Sequence, residues 1–246
     1  MSFFESVISG IVQGITEFLP VSSSGHLVIL HRLFGLEKPQ VAFDVFLHVG
    51  TLTAIFIVFR RDIIDIFTVR KKTGLFVIIS TLVTVVFVLL FGKSIESGFG
   101  NVKIVGVGLV VTGVWLILGR FIRYGTKGIS GFKAVLIGLA QGIAAVPGIS
   151  RSGVTISTGM FLGLDSQSAA RFSFLLAIPA IIGAFVLKIK TIALDGFNAN
   201  YVIGFIVSCV VGVLSLKLLL KILYRGKFYL FGIYCIAVGI LVLILL

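Results

Sequence analysis

The sequence predicts an all-α polytopic membrane protein with six transmembrane helices plus two re-entrant helical hairpins in an inverted-topology repeat. Three observations predict it. The 246 residues are 58% hydrophobic and 12% charged, with a mean hydropathy of +1.21, whereas water-soluble domains average roughly 45–50% apolar and about 25% charged. Apolar runs recur at the length a bilayer demands. Two shorter runs break at Pro, Ser and Gly clusters, and the two halves of the chain match at one fixed offset.

A helix rises about 1.5 Å per residue, so crossing a hydrocarbon core of about 30 Å takes around 20 mostly apolar residues. The first run, Phe4–Leu19, is too short and ends in Pro20-Val21-Ser22-Ser23-Ser24-Gly25-His26. Spans follow at Val41–Phe59, Thr73–Phe91 and Val102–Leu118. A second short run, Phe132–Val146, ends in Pro147-Gly148-Ile149-Ser150-Arg151-Ser152-Gly153, and Ala169–Leu187, Tyr201–Leu220 and Phe228–Leu246 complete the six spans. Broken backbone at membrane depth survives only where protein or a wet cavity satisfies its N–H and C=O groups. Both broken segments are therefore expected to enter and return to one side, a kinked span being the alternative for each. The amino terminus carries Glu5 and Glu17 and no basic leader, so it is expected to belong to the fold rather than to a cleaved signal. Cys209 and Cys235 lie in apolar runs without a CxxC pattern, which indicates neither a disulfide framework nor a zinc site.

Repeats carry more information than hydropathy. At an offset of 128 residues, without a gap, Gly10, Gln13, Gly14, Ile15, Ser22, Ser24 and Gly25 meet Gly138, Gln141, Gly142, Ile143, Ser150, Ser152 and Gly153. Gly35-Leu36-Glu37 meets Gly163-Leu164-Asp165 at the same offset. The chain is expected to be a single membrane domain, 1–246, built of two repeats of approximately 1–122 and 130–246. A hairpin keeps its side and three spans change it, so the second repeat enters from the opposite face. Such inverted repeats put their broken elements together near the midplane, where substrate sites are built.

Orientation follows the basic residues. Twelve Lys and Arg, from Arg60 and Arg61 through Arg123, Lys127 and Arg225 to Lys227, fall on one side; six, Arg32, Lys38, Lys93, Lys103, Lys188 and Lys190, fall on the other. The first side is expected to be cytoplasmic, with both termini outside. The formal net charge of +12 is thereby largely a matter of topology. No soluble face remains to hold nucleic acid.

Intramembrane ionisable groups are costly and usually functional. Glu17 lies directly before the first break, and Gln13, four residues earlier, shares its helix face. Glu17 could be a neutral structural residue, a general base or a metal ligand; with Gln13 beside it, the oxygen donors suit a divalent cation, Mg²⁺ or Ca²⁺, completed by a substrate phosphate. Ser22-Ser23-Ser24-Gly25-His26 presents hydroxyls and backbone N–H groups to an anion, although serines are also ordinary N-caps. In the second cluster Arg151 replaces Ser23, while Ser150, Ser152 and Gly153 keep the register. At a hairpin tip Arg151 needs an anionic partner, either a phosphate or Glu17 in a permanent salt bridge. His26 titrates near neutral pH and could pass a proton or attack phosphorus. Asp44 is read as either cavity lining or water boundary; His31 is placed at the interface, and His48 carries no assigned role.

The run from Gln13 to His26 resembles the E/QxxxE plus PxSSxGH signature of the bacterial undecaprenyl-diphosphate phosphatases, the bacitracin-resistance BacA or UppP family. Pro147-Gly148-Ile149-Ser150-Arg151-Ser152-Gly153 resembles that family's PGxSRSG motif. The resemblance extends over essentially the whole chain. It implies a multi-pass phosphatase of the bacterial plasma membrane, with its active site open to the outer side, that converts a C55 polyprenyl diphosphate to the monophosphate and recycles the cell-wall lipid carrier. A divalent-metal requirement is implied as well, though Gln13 stands where many members have Glu, so a scheme needing two carboxylates does not carry over.

The expected catalytic set is Glu17, Ser23, His26 and Arg151, with Gln13, Ser22, Ser24, Gly25, Ser150, Ser152 and Gly153 binding substrate, and Glu17 and Gln13 holding the metal. Ser23 is the expected nucleophile and His26 its base or the leaving-group acid; attack by His26 or by a water held by Glu17 remains open. Partners are the polyprenyl diphosphate and membrane lipids, with a homodimer allowed and no nucleic acid. A transporter or flippase of an anionic polyprenyl lipid is the rival, because the same architecture serves transport.

Overall fold

The computed structural model describes residues 1–36, 40–98, 101–121, 125, 128–195, 198–224 and 226–246, leaving out the side chains of 96, 121, 190–195 and 224. Glu37 of the repeat, and Lys38, Arg123, Lys127 and Arg225 of the charge distribution, lie outside the described residues, as does the side chain of Lys190. The described residues form α-helices, one short 3-10 turn at Gly119–Phe121, and no strand.

The first hairpin is α1 (Phe3–Thr16) and α2 (Ser23–Leu33). A reciprocal cap starts α1: Glu5 N donates to Ser2 Oγ, and Ser2 N donates to Glu5 Oε2 at 2.7 Å. Then come α3 (Val41–Val58), α4 (Arg60–Phe67), α5 (Lys71–Gly98) and α6 (Val102–Leu118). The second hairpin is α7 (Gly131–Ile143) and α8 (Arg151–Phe161), followed by α9 (Ser166–Asp195), α10 (Ala199–Tyr224) and α11 (Leu230–Leu245). Adding 128 to α2 gives 151–161, which is α8, and adding it to the first residues of α1, α5 and α6 gives 131, 199 and 230, which open α7, α10 and α11. The α4 helix has no separate counterpart; its register falls on the end of α9.

Among the described residues, four helices are long and apolar enough to cross a membrane: α3, α5, α9 and α10. The predicted spans 102–118 and 228–246 appear as α6 and α11, of 17 and 16 residues, about 24–26 Å long. Only 17% of the apolar window of α5 is buried in the protein, and Leu89, Leu90 and Phe91 on it are exposed. That surface needs lipid, and the chain is a multi-pass membrane protein.

Lipid gives apolar side chains no reason to leave it, so helices associate through small residues and close packing. On α1, a Cβ at Gly14 would stand 2.7 Å from Val211 Cβ on α10; on α7, a Cβ at Gly142 would stand 2.7 Å from Phe87 on α5. The helices α6 and α11 run antiparallel, Gly106 against Gly239 and Gly113 against Gly232. Beneath the hairpins, Phe18 and Phe174 are fully buried and pack edge to face at 5.7 Å. Phe18 thereby fixes the turn that carries Glu17.

Candidate functional site where two broken hairpins meet

Serines cap the second helix of each hairpin. Ser22 Oγ accepts from Gly25 N at 3.3 Å and Ser150 Oγ accepts from Gly153 N at 3.1 Å, so Ser23 and Arg151 are the first residues of α2 and α8. The loops differ in strain. Ser22 sits at φ 67°, a left-handed conformation that costs a non-glycine residue of order 1–3 kcal/mol, whereas in the second loop Gly148 takes the positive φ of 90°.

The two breaks touch. A Cβ at Gly25 would lie 3.2 Å from Gly148 Cα, one at Gly153 would lie 3.2 Å from Pro20 Cβ, and Ser152 Oγ donates to Leu19 O at 3.3 Å. From α6, Thr112 pins the second loop, receiving Ser150 N at 2.9 Å and donating to Gly148 O at 3.1 Å.

At this contact the Glu17 carboxylate, on a residue 6% exposed, gathers three donors. Arg151 Nη2 donates to Oε1 at 2.6 Å; Ser23 Oγ donates to Oε2 at 2.6 Å, and Gln13 Nε2 donates to the same oxygen at 3.1 Å. The structure thus brings Gln13, Glu17, Ser23 and Arg151 together, and the salt bridge considered for Glu17 and Arg151 is present. A charge-assisted O–H···O⁻ contact of this length is the strong kind. It makes Glu17 the group positioned to take the Ser23 proton.

His26 stands elsewhere than expected. Its Nδ1 donates to Ser22 O at 2.8 Å, and in the neutral ring Nε2 accepts from Tyr234 Oη–H at 2.8 Å, with the two rings stacked at 5.8 Å. Both nitrogens are occupied away from Ser23, so the imidazole is not its base in this geometry. What it does is hold the carbonyl of the strained Ser22, one residue before Ser23. Ser22, Ser150 and Ser152, expected as anion-binding hydroxyls, are buried at 3%, 1% and 1% exposure. Their oxygens are used in caps and in the contact between the loops, and the Ser24 hydroxyl lies 3.4 Å from that of Ser22. Gly25 and Gly153 supply close approach of backbone.

Two residues at the site were missed. His48 on α3 places Nε2 3.6 Å from Glu17 Oε2, oriented by Nδ1 donating to Asp44 O at 2.7 Å. Its membrane depth was the available signal. Tyr234 on α11 offered none, since nothing local marks it. His31 and Asp44 lie together, Nε2 to Oδ1 at 3.7 Å, near the start of α3.

Two buried polar atoms at the centre, Gln13 Oε1 and Arg151 Nη1, have no hydrogen-bond partner among the described residues. A free guanidinium donor suits a phosphoryl oxygen, and a free amide oxygen beside a carboxylate suits a hard divalent cation. No group of three or more His, Cys, Asp or Glu side chains among the described residues could hold a metal. The residues therefore fit such a cation only where a bound ligand contributes oxygens of its own.

A family model described as Bacitracin resistance protein BacA matches residues 6–241. The undecaprenyl-diphosphatase of Desulfosudis oleivorans is 43% identical, covering 97% of each chain; that of Korarchaeum cryptofilum is 39% identical over 100% of each, and that of Halothermothrix orenii is 38% identical over 100% of this chain and 98% of its own. With a family match across nearly all its length and full-length relatives at this identity, the chain belongs to the BacA family of bacitracin resistance proteins.

Proposed function

We propose that the protein is a membrane phosphatase that hydrolyses undecaprenyl diphosphate to undecaprenyl phosphate and inorganic phosphate, recycling the cell-wall lipid carrier. One observation carries the reading: the Ser23 hydroxyl donates to a buried Glu17 carboxylate whose other oxygen is held by Arg151. A serine hydroxyl aimed at a carboxylate is an activated nucleophile. The names of the relatives supply the substrate.

In the proposed reaction Ser23 Oγ attacks the terminal phosphorus as its proton passes to Glu17 Oε2. The bond from that phosphorus to the bridging oxygen breaks, and the lipid monophosphate leaves with the electron pair. Arg151 turns its free Nη1 to the phosphoryl oxygens, where charge spreads in the transition state. Water then attacks the phosphoserine as its proton passes to Glu17; the bond from phosphorus to Ser23 Oγ breaks, Ser23 Oγ keeps the electron pair and takes a proton from Glu17, and inorganic phosphate leaves. His48 stands where it can take the proton from Glu17 between the steps. A divalent cation, Mg²⁺ or Ca²⁺, held by Gln13 Oε1 and Glu17 together with the diphosphate, would neutralise charge on the phosphates.

The same proposal includes six spans and two re-entrant hairpins in inverted repeats, both termini outside and the site open outward. Its support is the helix bounds recurring at 128 residues, the contact of the two breaks, and the excess of Lys and Arg on the α4 side. Against transport as the sole activity stands the Ser23–Glu17 contact, which a carrier that releases its lipid unchanged does not need. The test is inorganic phosphate release from a polyprenyl diphosphate by the purified protein in detergent, with and without Mg²⁺. Release that disappears in Ser23→Ala is the expected result; release unaffected by that substitution removes the serine mechanism, and no release by the wild type removes the enzyme.

A further inference from the structure

The end of α3 remote from Glu17 bears a second polar cavity. From His48 to Ile57 is nine helical residues, about 14 Å along the axis. There a cavity of about 710 Å³ is lined by Arg60, Arg61, Arg70, Arg171 and Lys217, with Asp62 and Asp65, and bounded by Ile57 and Val58. Its volume falls in the roughly 300–1,000 Å³ range of small-ligand sites. Five cations against two carboxylates leave the lining at 5 − 2 = +3.

The carboxylates are already engaged. Asp62 Oδ1 accepts from Arg171 Nη1 at 2.6 Å and lies 3.6 Å from Arg70 Nη1, while Asp65 Oδ2 lies 3.7 Å from Arg70 Nε. Arg60, Arg61 and Lys217 have no ion-pair partner among the described residues. Behind the Asp62–Arg171 contact an apolar crevice of about 140 Å³ is lined by Ile66, Ile129, Leu164, Phe172 and Leu175. On the adjoining α4 and the turn after it, Ile64, Phe67 and Val69 are 61%, 73% and 82% exposed. Apolar side chains presented this way on a short charged helix mark the lipid interface. The cavity thus combines unpaired cations, a neighbouring apolar crevice and headgroup depth. A topological signal needs the charge on this side and does not need it gathered around a cavity.

We infer that this cavity is a second ligand site, distinct from the Glu17 centre, that takes the phosphoryl headgroup of an anionic membrane lipid through Arg60, Arg61 and Lys217. Guanidinium pairs bind phosphate oxygens in bidentate fashion, and each basic residue near an anionic lipid surface contributes roughly a fivefold gain in binding.

Native mass spectrometry of the purified protein in a zwitterionic detergent tests this, with dioctanoyl phosphatidylglycerol, dioctanoyl phosphatidylcholine and inorganic phosphate as probes. Phosphatidylglycerol is expected to bind on the order of 100-fold more tightly than phosphatidylcholine. The Arg60→Gln/Arg61→Gln/Lys217→Gln variant loses that advantage, and the charge-keeping Arg60→Lys/Arg61→Lys variant retains most of it. Phosphate release by both variants stays at the wild-type level, which also shows that they fold. Displacement of the lipid by millimolar phosphate identifies the bare anion as sufficient; no displacement identifies the lipid as the ligand. Equal binding of the two lipids by the wild type overturns the inference, as does undiminished phosphatidylglycerol binding by the triple glutamine variant.

Discussion

Replacing Glu17 by Gln keeps the shape of the side chain and removes its charge, which makes it the sharpest perturbation of the centre. The side chains of Glu17 and Arg151 are 5% and 16% exposed, their contact is 2.6 Å, and Arg151 Nη1 has no partner of its own. Glu17→Gln therefore leaves a nearly buried guanidinium uncompensated, and breaking a buried pair in this way costs about 3–5 kcal/mol. Loss of the proton acceptor for Ser23 slows chemistry by about 10²–10⁴-fold, or roughly 2.7–5.4 kcal/mol of barrier at about 1.36 kcal/mol per tenfold. The two effects separate in the double variant Glu17→Gln/Arg151→Leu, which removes both charges. Its loss of unfolding free energy in detergent is expected to be smaller than the sum of the single losses by about 0.5–3 kcal/mol, while phosphate release stays at the level of the worse single variant. Strictly additive stability losses, or release by Glu17→Gln within tenfold of the wild type, would refute the argument.

His48→Gln is expected to preserve folding and to lower kcat by roughly tenfold; an unchanged kcat means the ring handles no proton. Tyr234→Phe removes the hydroxyl donated to His26 Nε2, so stability falls by about 0.5–1.5 kcal/mol, and His26→Asn recovers more activity than His26→Ala if the ring positions Ser22 rather than accepting a proton. Gly14→Leu brings a Cβ to 2.7 Å from Val211 Cβ and 2.9 Å from Gly212 N; backbone cannot yield there, and a loss of about 1–3 kcal/mol or more is expected as a lowered Tm. At Asp165, burial opposes the charged form, but hydrogen bonds from the Ser168 side chain and the backbone N–H groups of Ser168 and Gln167 hold the carboxyl below its ordinary value. That contribution to the start of α9 is complete above the unfolded pKa and is lost as pH falls through the lower folded one, so Asp165→Asn should flatten the acid limb of stability against pH.

The register of the two broken segments made most of the centre legible. Once Ser22, Ser24 and Gly25 are aligned with Ser150, Ser152 and Gly153, Arg151 must occupy the place of Ser23, and two such tips near one plane bring Glu17 within its reach. Helix rotation was not legible. The α3 sequence is apolar almost all round, so its periodicity does not say that His48 faces Glu17. The partner of His26 is 208 residues away, on an α11 that is equally uniform. The α4 helix went unread for another reason: in the sequence Arg60 and Arg61 count only as charges marking one side, and what accompanies eight residues of helix is the ion pair from Asp62 to Arg171 on α9.

If the two hairpins are copies, as proposed, the asymmetry between them accounts for how an anion cradle becomes a reactive one. Ser23 and Arg151 are equivalent in register, and each opens a helix at the meeting point, so two helix N-termini favour negative charge there. A symmetric pair would bind an anion and do nothing further. In the proposed mechanism, divergence at this position gives a nucleophile on one side and a cation on the other. Glu17 completes the arrangement because its own equivalent, at 17 + 128, is Ala145. One carboxylate between the tips can hold Arg151 in place and polarise Ser23 at once; a second would compete with the diphosphate for the same guanidinium. Under the proposed mechanism the single acidic residue is thus what both positions the cation that binds phosphate and activates the serine that attacks it.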